Sequence, residues 1–255
     1  MTDDRKRRRR RTTAAILAAT TVAATVAASS QLHADATTTT TSFTEVVRYT
    51  FDEPARPGFL DLAGGDQPLK PVSSKGGAFT AVSHGDGAAL MFPPPCRHEP
   101  CPRIALRARN AADLNPGRRP IRFGASVLLA ADQTTKGENV VQKGYSAHGS
   151  QWKLQIDGKA GKPSCAMVDA KGHVHIARSG ITVADNTWHT LECRRKGSSL
   201  TIRVDGRRRG GTTIPAGLTV SNGIPLSIGG KGAYRDNDQF QGVLDDVWVA
   251  IGGSS

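Results

Sequence analysis

Residues 199–206 read SLTIRVDG, and this stretch decides the fold class: Leu200, Ile202 and Val204 alternate with Thr201, Arg203 and Asp205 before Gly206 ends the run. A repeat of two sends successive side chains to opposite faces, so the segment is a half-buried strand closed by a turn. The same period recurs outward from it. Trp152, Leu154 and Ile156 alternate with Lys153, Gln155 and Asp157 before Gly158, and residues 166–168 and 174–176 flank the turn formed by Asp169, Ala170, Lys171 and Gly172. No stretch of ten or more residues carries an apolar stripe of helical spacing, and residues 110–114 would make one helical turn at most. Many short strands between glycine and proline turns predict an all-β sandwich of two antiparallel sheets.

The chain has 255 residues, with 38% hydrophobic and 22% charged residues, which excludes a disordered protein. Its charge of +12 suggests a nucleic-acid binder until the charge is located. Seven basic residues fall within residues 5–11, followed by the uncharged apolar run of residues 14–28 and by Ala34, Asp35 and Ala36, a small-x-small cleavage signal. This order predicts a secretory signal peptide over residues 1–36; the apolar run is shorter than the ~20 residues that span a bilayer, so no permanent membrane anchor is expected. Its removal takes 7 of 34 basic and 3 of 22 acidic residues and leaves +8, so no nucleic-acid partner is expected. Residues 37–42 read as a Thr-rich flexible leader, and residues 43–252 as one domain, expected to be a monomer.

Export predicts disulfides. Four cysteines allow three pairings; Cys96 and Cys101 bracket a proline-rich loop and Cys165 and Cys193 lie on strands flanking a hairpin, so these two pairs are expected. The alternative, a metal site from Cys96, His98 and Cys101, supplies only three ligands.

The order of segments resembles the laminin G-like (LamG) jellyrolls of the concanavalin A-like lectin/glucanase superfamily. The resemblance is carried by VRYTFDE (47–53), LDLAGG (60–65), GAALMF (87–92), NVVQKG (139–144), WHTL (188–191), Val204-Asp205-Gly206, PLSIG (225–229) and FQGVLDDV (240–247). It implies a jellyroll sandwich. It also implies a structural calcium ion between the first and last strands, with Asp246 as side-chain ligand and carbonyls near Asp52 opposite; the alternative is that Asp245 and Asp246 hydrogen-bond turn backbones. No cofactor is otherwise required.

The catalytic patterns of related enzymes are absent. No Glu-x-Asp-x-x-Glu pair suits glycoside hydrolysis, and Gln155-Ile156-Asp157 has aspartate where a lyase strand would carry histidine. Gly144 to His148 lacks the second glycine of a nucleophile elbow, and Asp236-Asn237-Asp238 is not continued as a calcium-binding loop. The chain is therefore read as a non-catalytic binding module for a glycan or other cell-surface component. Sugar stacking needs exposed aromatic faces; Trp188 and Trp248 are assigned to the core, which leaves Tyr145 and Tyr234 in glycine-bearing loops, with Arg235, Asp236 and Asp238 as polar partners. The alternative is a structural or adhesive protein that attracts an acidic polymer through Arg194-Arg195-Lys196 and Arg207-Arg208-Arg209. A third reading is a polysaccharide-active enzyme with unrecognised residues.

Overall fold

The computed structural model describes residues 41–53, 58–109 and 112–253. The expected signal peptide and residues 37–40 of the expected leader thus lie outside the described residues. Fifteen strands follow in chain order: β1 Phe43–Tyr49, β2 Lys70–Ser74, β3 Thr80–His84, β4 Gly87–Met91, β5 Arg103–Arg107, β6 Ile121–Leu128, β7 Glu138–Lys143, β8 Gln151–Asp157, β9 Lys162–Val168, β10 Val174–Arg178, β11 Trp188–Lys196, β12 Ser199–Val204, β13 Arg207–Thr213, β14 Leu226–Ile228 and β15 Val243–Gly252. Helical structure among the described residues is confined to three single 3-10 turns, one of them at Ala112–Leu114.

The strands form two sheets, and every pairing is antiparallel. The eight-stranded sheet runs β13-β12-β11-β6-β15-β4-β3, with β1 also on β15, and the seven-stranded sheet runs β10-β9-β8-β7-β14-β5-β2. The sequence-predicted sandwich is therefore the observed architecture. Between the sheets lie Phe123, Val127, Trp152, Leu154, Ile156, Leu191, Ile202 and Val249, each 2% exposed or less. The Phe123 and Trp152 rings, from opposite sheets, approach to 4.6 Å.

Two tryptophans correct the sequence reading. Trp248 pairs with Gly124 and Trp188 with Leu128, positions on the outer face of the eight-stranded sheet, and both rings are only half-buried. Trp188 stacks on His84 at 3.8 Å, and Trp248 takes the Arg122 guanidinium at 5.4 Å. Trp152 is the buried one. The arginine clusters change as well. Arg195 is fully buried on the inner side of β11 and donates to the carbonyls of Gly117, Arg119, Ala216 and Leu218. It is a clamp on two loops, whereas Arg207, Arg208 and Arg209 stay exposed on the edge strand β13. Lys143 acts similarly, donating to the carbonyls of Asn222 at 3.0 Å and Ile224 at 2.7 Å while burial pushes its ammonium down to about 8.

Both expected cysteine pairs are bridged. Cys165 on β9 and Cys193 on β11 lie in different sheets and are buried, so this bond ties the two layers. It constrains a segment of 28 residues against 5 for Cys96–Cys101. Loop-closure entropy then assigns about 3–4 kcal/mol to the first bridge and about 2 kcal/mol to the second. Denaturant unfolding should show the larger midpoint loss for Cys165→Ala/Cys193→Ala than for Cys96→Ala/Cys101→Ala; equal losses would mean that the buried bridge does not couple the layers.

Glu138 opens β7 with 1% exposure and accepts the amide N–H of Thr135 at 3.0 Å and of Gln241 at 3.3 Å. Burial pushes its carboxyl up to about 8, against the pull of those two amides. Between its ordinary value and about 8 the folded chain holds a proton that the unfolded chain has released, so stability must fall as pH rises through that window. Glu138→Gln should remove this slope. The stability difference between pH 5 and pH 8 in urea should shrink by on the order of a few kcal/mol; an unchanged difference would show that the carboxyl titrates normally.

Candidate functional site

The outer face of the seven-stranded sheet follows from the alternation of β8. Trp152, Leu154 and Ile156 point to the core, so Gln151, Lys153 and Gln155 point out. Register carries that face across the sheet: Lys153 stands beside Ala166 of β9 and Gln142 of β7, Ala166 beside Ile176 of β10, and Gln142 beside Ser227 of β14, which in turn pairs with Arg107 of β5. A parallel row pairs Ser164, Gln155 and Asn139.

Two loops rise over this face. One spans residues 144–150 and carries Tyr145 on the lead-in to a 3-10 turn at Ser146–His148. The other spans residues 229–242 and is fixed from within: Asn237, 2% exposed, donates to the carbonyl of Gly232 at 2.7 Å, and Gln239 donates to the carbonyls of Gly229 and Phe240 while accepting the amide of Ile104. Its base requires glycine. Gly229 has φ +72°, and a Cβ there would lie 2.0 Å from the Phe92 ring.

Sheet and loops enclose an open concavity of about 490 Å³. Tyr145, Tyr234, Asp236 and Asp238, singled out from sequence, all line it. Arg235 does not; it lines a separate recess with Ser74, Lys75 and Glu99. The residues that sequence reasoning missed are Lys153, Gln155, Val174, Ile176 and Lys231. The alternation of β8 already contained the signal for Lys153 and Gln155, which face away from the three core residues.

The polar chemistry centres on Asp238. Its Oδ2 accepts from Lys153 Nζ at 3.0 Å and Lys231 Nζ at 2.7 Å. Burial pushes the Asp238 carboxyl up and the two ammonium groups more than reverse this, holding it below the usual range, while burial lowers Lys153. Two cations thus share one carboxylate. Asp236 sits at the rim, 3.3 Å from Lys136 Nζ. The Tyr145 hydroxyl donates to the carbonyl of Lys231 at 3.0 Å, and burial, with Tyr145 close by, pushes the Tyr234 phenol up to about 12. Tyr234 is nevertheless 47% exposed.

Asp52 and Asp246, named for the expected calcium site, both have partners within the chain. Asp52 Oδ1 already accepts the amide of Ala88, and Arg48 holds a guanidinium 3.8 Å from Asp246, the wrong charge beside a cation ligand. The buried carboxylate of the last strand is Asp245, 2.5 Å from His84 Nδ1 and accepting the amide of Asp246. Asp246 itself, at φ +47°, sits in the bulge where the register of β15 against β6 shifts between Asp245 and Trp248. Among the described residues no three His, Cys, Asp or Glu side chains converge as a metal group.

No characterised protein sequence matches the chain. Many solved structures share its fold. Domain 4 of AbnA, a GH43 extracellular arabinanase from Geobacillus stearothermophilus solved with arabinotriose, superposes with a TM-score of 0.64 at 13% identity, covering 84% of this chain and 95% of that domain. The binding domain of Paraclostridial Mosquitocidal Protein 1 gives 0.62 at 13% identity over 83% of this chain and 50% of that one. The binding domain of Botulinum Neurotoxin DC in complex with SialylT gives 0.60 at 6% identity, covering 81% and 47%. The chain spans about half the length of these two toxin binding domains. A laminin G family model matches residues 123–250, a segment that runs from the middle of the eight-stranded sheet to its last strand, so the chain belongs to the concanavalin A-like lectin/glucanases superfamily.

Proposed function

We propose that the protein is a secreted, non-catalytic binding module that holds an extracellular glycan in the concavity of its seven-stranded sheet. One observation carries the reading. Of the six large hydrophobic side chains exposed among the described residues, Val174, Ile176 and Tyr234 line this one concavity. They stand beside fixed hydrogen-bonding groups on Lys153, Gln155 and Asp238. A sugar ring has both surfaces, an apolar C–H face and a hydroxyl rim, and needs both kinds of partner at once. Export is supported by the basic, apolar and small-x-small order of residues 5–36 and by the absence of any free cysteine. The related binding domains, one solved with arabinotriose and one with SialylT, suit a module without chemistry of its own.

The exposed arginines of β13 favour a second reading, charge-driven attachment to an acidic polymer, but Arg195 takes no part in it because it is buried. The two readings separate experimentally. In a glycan and wall-polymer binding screen run with calcium and with chelator, Tyr234→Ala should weaken retention roughly tenfold or more, since an aromatic face contributes about 1 kcal/mol beyond its buried area. Chelation should change nothing. Retention that ignores Tyr234→Ala but collapses in moderate salt would favour the arginine surface instead.

A further inference from the structure

The lining of the concavity balances Lys153 and Lys231 against Asp236 and Asp238, and a surplus of positive charge comes from its surroundings. Lys153 and Lys231 both take Oδ2 of Asp238, while the neighbouring Lys136 occupies Asp236 at 3.3 Å. Arg107 stands in the same outward row as Lys153 and acts electrostatically on the Tyr234 phenol, yet it has no carboxylate within ion-pair distance among the described residues. Lys153 is the buried partner of Asp238, whereas Lys231, 26% exposed, shares that same oxygen and keeps donor capacity for a second anion.

We propose that the ligand of this site is an acidic sugar, a pyranose bearing a carboxylate. Its carboxylate joins Lys231 and Lys153 opposite Asp238, with Arg107 adding to the field. Its C–H face lies on Tyr234 and the Val174–Ile176 strip, and its hydroxyls turn toward Gln155. The proposal rests on the reading of the concavity as a glycan site and adds the charge of the sugar. The carboxylate could belong to a uronic acid or to a sialic acid, since the site recognises the anionic group and the ring face rather than the position of attachment.

The test uses the full mature protein and two matched probe pairs in titration calorimetry: trigalacturonate against its methyl ester, and sialyllactose against lactose. In at least one pair the acidic member should bind roughly tenfold or more tightly than the neutral one, as expected for loss of a charge-assisted contact. Lys231→Met should remove that preference by weakening the acidic probe roughly tenfold. Lys231 is partly exposed and its loss leaves the Lys153–Asp238 pair intact, and Lys231→Gln with a melting curve checks that folding is preserved. The pair that responds identifies the sugar class. If neutral probes bind as well as acidic ones and Tyr234→Ala weakens both, the acidic preference is overturned and glycan binding stands. If no probe shows binding that Tyr234→Ala alters, both readings fall. If acidic binding survives Lys231→Met and disappears in Arg207→Ala/Arg208→Ala/Arg209→Ala, the anion is held on the β13 edge and the proposal fails.

Discussion

The central strands of both sheets must turn one face into the dry space between them, and almost everything else about the structure follows from that requirement. A half-buried strand alternates, so the identity of a side chain matters less than its parity along the strand. On β8 the odd partners of Trp152, Leu154 and Ile156 become the floor of the concavity, and on β15 the partner of Val247 and Val249 becomes the exposed face of Trp248. The site is thus the reverse side of the core. No separate structure had to be built for it beyond two loops.

The fold was legible in the sequence because parity is a local property, readable in residues 199–206 and 152–157 without knowing what lies opposite. Where the reading failed, residue type was allowed to outrank parity. Trp248 sits between two valines that are both buried, and a strand cannot bury three consecutive side chains on one face; alternation alone would have placed the tryptophan outside. The Arg194-Arg195-Lys196 run failed for the same reason, since Arg195 shares its face with Leu191 and Cys193 and so belongs inside. Its four carbonyl partners come from loops more than 20 residues away in sequence, which no local pattern announces.

The candidate site was legible in part. Tyr145, Tyr234, Asp236 and Asp238 were visible as aromatic and polar residues in loops, and the structure gathers them. Lys153 was not visible as their partner because its bond to Asp238 joins positions 85 apart. Arg235 was assigned with its neighbours, but φ +61° at Asp236 and +49° at Asp238 turn the chain sharply there, so adjacent side chains leave on different sides.

Lys143 and Arg195 hold the segment of residues 214–224 almost wholly through its carbonyl oxygens, supplemented by Ile214, Leu218 and Val220 reaching inward. A carbonyl belongs to every amino acid alike. The two buried cations therefore prescribe a path for the backbone without prescribing most of its letters, and Ala216, Gly217 and Thr219 are free to be rewritten while the course of the chain is kept. A designer wishing to graft a foreign peptide onto this sandwich has, at that bend, a mount that grips the main chain and leaves the cargo open.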